Sequence, residues 1–442
     1  MKIKLSDHFG YKKLIMFTLP SIAMVIFTSI YSIVDGFFVS NFVGKTQFAA
    51  VNFAMPTLMI LGAIGSMFGS GGSALIAKTL GEKQKEKANR YFSMIVYIII
   101  ILGILFAVLG HIIIRPVMVL LGAQGEMLEY CIRYSRIIIT VIPAFMLQYS
   151  FQVFFVLAEK PTLGLIATIA AGVTNMLLDA LFIAVLKLGI EGAAYATATG
   201  VFVGGIIPII YFACPNKSLL RLGKTSFKLQ PLIRTAANGS SEFISNISMS
   251  VVGILFNSQL MKFSGENGVA AYGTLMYVNM IYVAIFFGYS MGISPVISYH
   301  YGAENKSELK NLKTRSFKLI TVSSVVMTIT ALILANPLAH IFVGYDKELF
   351  DMTVHAFIIS SFSFLIMGFP MFISAFFTSL NNGLISAVTS FSRTMIFQVG
   401  SVLLLPAIFG LDGIWFSMIT AELGAAVVAV IFLVKNKKKY GY

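Results

Sequence analysis

The chain reads as an all-α polytopic membrane protein: twelve transmembrane helices in two pseudo-symmetric six-helix bundles. Three observations predict this. First, 57% of the 442 residues are hydrophobic and only 11% are charged, against roughly 25% charged in a soluble domain. Second, the apolar residues gather into twelve long runs, and a helix needs about 20 such residues to cross a bilayer. A transmembrane barrel would instead show short alternating segments. Third, the chain resembles itself at a displacement of half its length.

In order, the apolar runs span approximately 14–40, 48–77, 91–112, 129–158, 162–186, 192–213, 232–261, 269–300, 317–335, 352–380, 384–408 and 412–434. The polar stretches between them are too short for a large soluble domain. Met1–Lys13 is basic, and the run after it is too long for a signal-peptide core, so the first helix is expected to be retained. Pro20, Pro56, Pro143, Pro208, Pro295, Pro370 and Pro406 are expected inside helices, where they free backbone carbonyls and permit kinks.

An even number of crossings puts both termini on one side. The terminal side carries 24 of the 32 Lys and Arg. They lie in Met1–Lys13, in Lys78–Arg90, at Lys160, in Lys217–Arg234, in Lys306–Lys318 and in Lys435–Lys439. The opposite side has five: Lys45, Arg115, Lys187, Lys262 and Lys347. This bias places both termini in the cytoplasm of a cell that holds the protein in its plasma membrane. It also accounts for the formal net charge of +14 without nucleic acid as a partner. The loops Gly81–Arg90 and Gly302–Arg315 read either as short amphipathic helices or as solvated charged loops.

A shift of 221 residues aligns Gly44 with Gly265, Gly71 with Gly292, Ser73 with Ser294, Gly81 with Gly302 and Lys85 with Lys306. Far downstream the same shift aligns Thr168 with Thr389, Gly189 with Gly410 and Gly192 with Gly413. Each match is weak alone, but the register holds over the whole half. The expected organisation is a six-helix lobe over 1–214, a connecting loop over 215–231 and a second lobe over 232–442. Six crossings per half make this a parallel repeat about an axis along the membrane normal, an arrangement that brackets a central cavity opening alternately to each side.

Ionisable groups inside the runs are few: Asp35, Asp179, Glu242, Arg393 and Glu422. A carboxylate within a membrane helix costs roughly 2.5–3.5 kcal/mol on insertion scales and usually faces a protein interior or a wet cavity. Asp35 binds a cation or a proton, or it merely caps a broken helix or pairs with a neighbour. Asp179 joins it or pairs with an interior Arg. At about 1.5 Å per residue, both sit within about 15 Å of the non-terminal surface. Asn175 lies one turn before Asp179 on the same face, and Thr197 sits at similar depth in the sixth helix. These hard oxygen donors suit Na⁺. Two neighbouring carboxylates also resist being charged together, which suits a proton carrier. The repeat partners of Asp35 and Asp179 are Phe256 and Gly400, so the site belongs to the first half alone. Cys131 and Cys214 and the five histidines show no metal-ligand or disulfide spacing. No HExxH or Asp-rich Mg²⁺ motif marks an enzyme. The 22 Met and 39 Phe could line an adaptable pocket.

At these residues the chain resembles the multidrug and toxic compound extrusion (MATE) family. The resemblance is carried by YSIVDGFFVS (Tyr31–Ser40), NMLLD (Asn175–Asp179) and GIEGAAYATATG (Gly189–Gly200) with its echo GLDGIWFS (Gly410–Ser417), within twelve helices in two halves. It implies that Asp35, Asn175, Asp179 and Thr197 bind the coupling cation, with Tyr31 beside them. It also implies that Glu242 corresponds to an acidic residue found in the second half of some branches. The implied function is a monomeric secondary antiporter that exports organic cations and amphiphilic drugs in exchange for H⁺ or Na⁺, with no other cofactor. The alternative within the same superfamily is a lipid-linked oligosaccharide flippase, which would favour a basic interior.

Overall fold

A computed structural model describes residues 3–442, so Met1 and Lys2 of the basic amino-terminal run lie outside the described residues. Every span is helical, because a bilayer offers backbone N–H and C=O groups no partner outside the helix itself. The first lobe comprises α1 (Tyr11–Phe42), α2 (Lys45–Gly81), α3 (Lys85–Leu120), a bent α4 (Gly125–Thr140 and Ile142–Leu157), α5 (Pro161–Val185) and α6 (Gly189–Ala213). The second comprises α7 (229–264), α8 (266–302), α9 (Lys306–Val343), a bent α10 (Lys347–Ser361 and Phe364–Ser379), α11 (Gly383–Phe409) and α12 (Leu411–Tyr440). α7 and α8 follow one another directly within Leu229–Gly302 as two helices on either side of a kink. Gly265 divides them with φ 61° and ψ −147°, a conformation that only glycine adopts without strain.

The irregular points repeat as faithfully as the regular ones. Gly44 and Gly265 both have positive φ, as do Lys83 and Glu304, and Gly189 and Gly410. Each pair is related by the same 221-residue shift. α4 bends by 59° at Val141 and α10 by 49° after Ser361, and Val141 is the repeat partner of Phe362. The two lobes therefore share their breaks as well as their helices, although α4 and α10 each read as one unbroken run in the sequence.

Three details differ from the sequence reading. The basic loops do not form separate short helices: each makes a tight turn, after which α3 starts at Lys85 and α9 at Lys306. Pro143 and Pro406 start helical stretches rather than lying inside them, while Pro116 and Pro337 do lie inside helices. The non-helical connection between lobes covers 214–228, slightly shorter than expected because α7 begins at Leu229.

The close approaches between lobes lie toward the face that carries the termini. The backbone at Gly81 rests on Tyr299 and Ala303, and that at Gly302 rests on Lys78. Gly71 meets Thr235 and Gly239, and Gly288 meets Ser21 and Ile22. Small residues let helix backbones touch where lipid would otherwise compete equally well for larger side chains. The segment before α1 crosses this seam. Leu5 N–H donates to Glu159 Oε1 of the first lobe at 2.8 Å, and Phe9 N–H donates to Glu308 Oε1 of the second at 2.9 Å. His8 Nδ1 lies 2.6 Å from Glu308 Oε2. Arg315 stacks on Tyr11, its guanidinium carbon 4.5 Å from the ring centre.

Candidate cation site

Three helices of the first lobe build the site. α1 contributes Tyr31 and Asp35, one turn apart. α5 contributes Asn175 and Asp179, also one turn apart, and α6 contributes Thr197. Two glycines let the helices close around these groups. A side-chain carbon on Gly172 of α5 would stand 2.6 Å from Phe27 and 2.8 Å from Tyr31. One on Gly200 of α6 would stand 2.9 Å from the Asn175 Cβ. Asp179 is the last residue of regular α-helix in α5, and Ala180–Val185 continue as π-helix. Such wide turns cost backbone hydrogen-bond quality and occur frequently at functional sites.

Thr197 Oγ1 donates to Asp35 Oδ1 at 3.4 Å. Asp179 and Asn175 stand close enough to Asp35 to act on it electrostatically, yet beyond well-formed hydrogen-bond geometry. Both carboxylate oxygens of Asp179 and both terminal atoms of Asn175 are buried without a partner. Asp179 is fully buried and Asn175 is 4% exposed, while Asp35, Tyr31 and Thr197 are half-buried. Unpartnered buried polar groups cost about 1–3 kcal/mol each, more when charged. A proton or a monovalent cation would relieve that cost, and the donors are all hard oxygens of the kind such a cation takes. No three His, Cys, Asp or Glu side chains group together among the described residues.

The structure thus brings Asp35, Asn175, Asp179, Thr197 and Tyr31 together in one chamber. It does not bring Glu242 there. That residue lies in α7 of the other lobe, half-buried, and no ion pair involves it among the described residues. Among the described residues no arginine meets Asp179 either. Arg133 reaches Glu191 at 3.7 Å on an exposed edge. Arg393 makes a two-pronged pair with Glu422, Nε to Oε2 at 3.0 Å and Nη2 to Oε1 at 2.6 Å. Phe256, the repeat partner of Asp35, is buried and stacked on Tyr272 with ring centres 4.9 Å apart.

Sequence reasoning missed three further residues of the chamber. Gln148 and Tyr149 of α4 neighbour Tyr31, and Gln148 Oε1 is buried without a partner. Tyr134, also of α4, neighbours Asp35, Thr197 and Asp179. Two amides within the apolar run 129–158, Gln148 and Gln152, were the available signal for Gln148. Nothing local distinguishes Tyr134 from a packing aromatic.

The comparisons with known proteins agree with this architecture. The chain is 25% identical over 435 residues to the multidrug export protein MepA of Staphylococcus haemolyticus, covering 97% of this chain and 94% of that protein. It is 23% identical over 433 residues to the protein of the same name from Staphylococcus saprophyticus, with the same coverage. Among solved structures, the outward-facing conformation of a multidrug resistance MATE family transporter superposes with a TM-score of 0.92 at 22% identity, covering 98% of this chain and 97% of that one. A MOP superfamily transporter from Pyrococcus furiosus, described as having a binding pocket of reverse polarity, gives 0.88 at 22% identity over the same shares. The MatE family model matches twice, at residues 20–181 and again at 243–403, the second match displaced by about half the chain. Matched across both lobes in this way, the chain belongs to the MatE family.

Proposed function

We propose that this protein is a secondary multidrug efflux antiporter, exporting cationic and amphiphilic compounds in exchange for H⁺ or Na⁺. The observation that carries the reading is the chamber of Asp35, Asn175, Asp179 and Thr197, with its buried, unpartnered carboxylate and amide. Relatives named as multidrug export proteins along nearly the whole chain support the substrate class. The Lys and Arg bias supports cytoplasmic termini. With the lobes in contact on the terminal face, that orientation makes this an outward-open arrangement.

The mechanism follows from differential binding. In the outward-open state an external H⁺ or Na⁺ reaches Asp35 and Asp179. Neutralising them removes the negative field that holds a cationic drug, and the drug leaves. Return to the inward-open state delivers the ion to the cytoplasm and reloads substrate. The cycle is driven only to the extent that the ion binds the two conformations with different affinity. The chamber is built by one chain, so a monomer suffices, and the substrate crosses chemically unchanged. A flippase for lipid-linked oligosaccharides would need a free interior cation for diphosphate. Arg393, the deep guanidinium, is instead held by Glu422, which favours the export reading.

The test is transport of a fluorescent cationic dye in everted membrane vesicles, driven separately by a pH gradient and by a Na⁺ gradient. Wild-type protein is expected to respond to one of the two, and Asp35→Asn to show only leak despite normal membrane abundance. Full gradient-driven transport by Asp35→Asn would remove the coupling role.

A further inference from the structure

On the terminal face, away from the cation chamber, the start of α3 and the inter-lobe connection border an open cavity of about 550 Å³. Lys83, Lys85, Lys87, Arg90 and Lys228 line it, against a single carboxylate, Glu86. None of the five cations is paired with a carboxylate among the described residues. Lys87 is held by Gln84 Oε1 at 3.0 Å. Thr225 and Ser226 add hydroxyl groups to the opposite wall. Five like charges around one cavity repel one another, and an anion seated among them would offset that repulsion.

The wall is built rather than loose. Arg221 N–H donates to Asn89 Oδ1 at 2.7 Å, Gly223 N–H to Ser93 Oγ at 3.0 Å, and Thr225 Oγ1 to the Arg90 carbonyl at 2.8 Å. Tyr97 OH donates to the Gly223 carbonyl at 3.1 Å. The connection between lobes is thereby pinned along α3 for two turns.

The surroundings indicate which anion. Arg90 stands where α3 turns apolar. On the same face of that helix follow Tyr97, Ile101, Ile104 and Val108, all exposed, with Ile101 at 58%. Phe227 and Leu229, at the other rim, are 65% and 61% exposed. A basic cavity thus opens beside a vertical apolar strip, at the level where a bilayer changes from headgroup to hydrocarbon. Basic pockets of this kind between membrane helices bind phospholipid headgroups. We propose that this cavity binds the phosphodiester headgroup of an anionic phospholipid from the leaflet on the terminal side, its acyl chains lying along α3. Bound there, the lipid touches the first lobe and the connection to the second together.

The experiment uses the purified full chain in neutral detergent, read by thermal unfolding and by mass spectrometry under native conditions. The ligands are phosphatidylglycerol, phosphatidylcholine, glycerol phosphate and inorganic phosphate. Phosphatidylglycerol is expected to raise the unfolding temperature and remain bound, and the other three to do neither. Each surface cation contributes about a fivefold factor to anionic-lipid affinity. The triple variant Lys85→Gln, Lys87→Gln, Arg90→Gln is therefore expected to bind phosphatidylglycerol on the order of a hundredfold more weakly. The control Lys437→Gln, Lys438→Gln, Lys439→Gln removes as much charge from the same face and is expected to bind like wild type. Should the triple variant fail to fold, Arg90→Gln alone is read for its roughly fivefold loss. Equal loss in both triple variants would mean unspecific charge attraction and overturn the proposal. Equal protection by glycerol phosphate or inorganic phosphate would overturn the lipid as the ligand.

Discussion

Asp179 is the residue on which most depends, since it is fully buried, lacks a hydrogen-bond partner and faces a second carboxylate. Asp179→Asn removes the charge while keeping the shape, and is expected to abolish ion-driven export in the dye assay without lowering thermal stability. Loss of stability in parallel with transport would instead mark Asp179 as structural. The Arg393–Glu422 pair makes the opposite prediction. Glu422 is 5% exposed and grips Arg393 through two oxygens. Arg393→Met alone strands that carboxylate and is expected to cost about 3–5 kcal/mol, read by thermal unfolding. The double variant Arg393→Met, Glu422→Leu is expected to recover most of it, because replacing a buried pair by apolar groups is often neutral. Asp35 and Asp179 were legible in the sequence because charges inside long apolar runs are rare and costly. Tyr134 was not, because nothing local separates it from a packing aromatic, although it neighbours Asp35. The Arg393–Glu422 pairing, which two ionisable groups inside apolar runs already suggest, joins two helices across 29 residues.

At the scale of helices, the twelve spans and their symmetry were readable because span length and hydrophobic content follow directly from bilayer thickness. The breaks were harder to see. The π-helical stretches at Ala180–Val185 and Ser392–Gln398 lie in repeat-related helices, α5 and α11, and leave no compositional mark. The strap before α1 was equally hidden, because its bonds to Glu159 and Glu308 span 154 and 299 residues. Glu308 collects the Phe9 N–H, His8 and Asn311 Nδ2 within 3 Å. Hydrogen bonds to a charged group contribute about 1.5–3 kcal/mol each. Glu308→Ala is therefore expected to free the strap, so that trypsin cleaves at Lys4, exposed within it, faster than in wild type. Unchanged cleavage would show that apolar burial of Leu5 and Phe9 suffices to hold it.

For the molecule as a whole, orientation and conformation decide what the chamber can do. Lys and Arg placement reads as cytoplasmic termini, and the chain carries its own reporter. Cys214, just past α6 on the terminal face, is a free exposed thiol, whereas Cys131 is buried. A membrane-impermeant maleimide is expected to label everted vesicles and leave right-side-out vesicles unlabelled; the reverse pattern would invert the transport direction assigned here. The conformational state itself was not legible in the sequence, since two lobes of identical topology can tilt either way about their shared seam. The glycines at that seam, Gly81 against Tyr299 and Gly302 against Lys78, hold the two lobes together on the terminal face. The most direct test of ion coupling at this chamber is counter-flow in proteoliposomes. A gradient of cationic drug is imposed and the opposing movement of H⁺ or Na⁺ is recorded for wild type and Asp179→Asn. Drug movement should drive an opposing ion current in wild type and none in the variant. An ion current of wild-type size through Asp179→Asn would contradict the assignment outright.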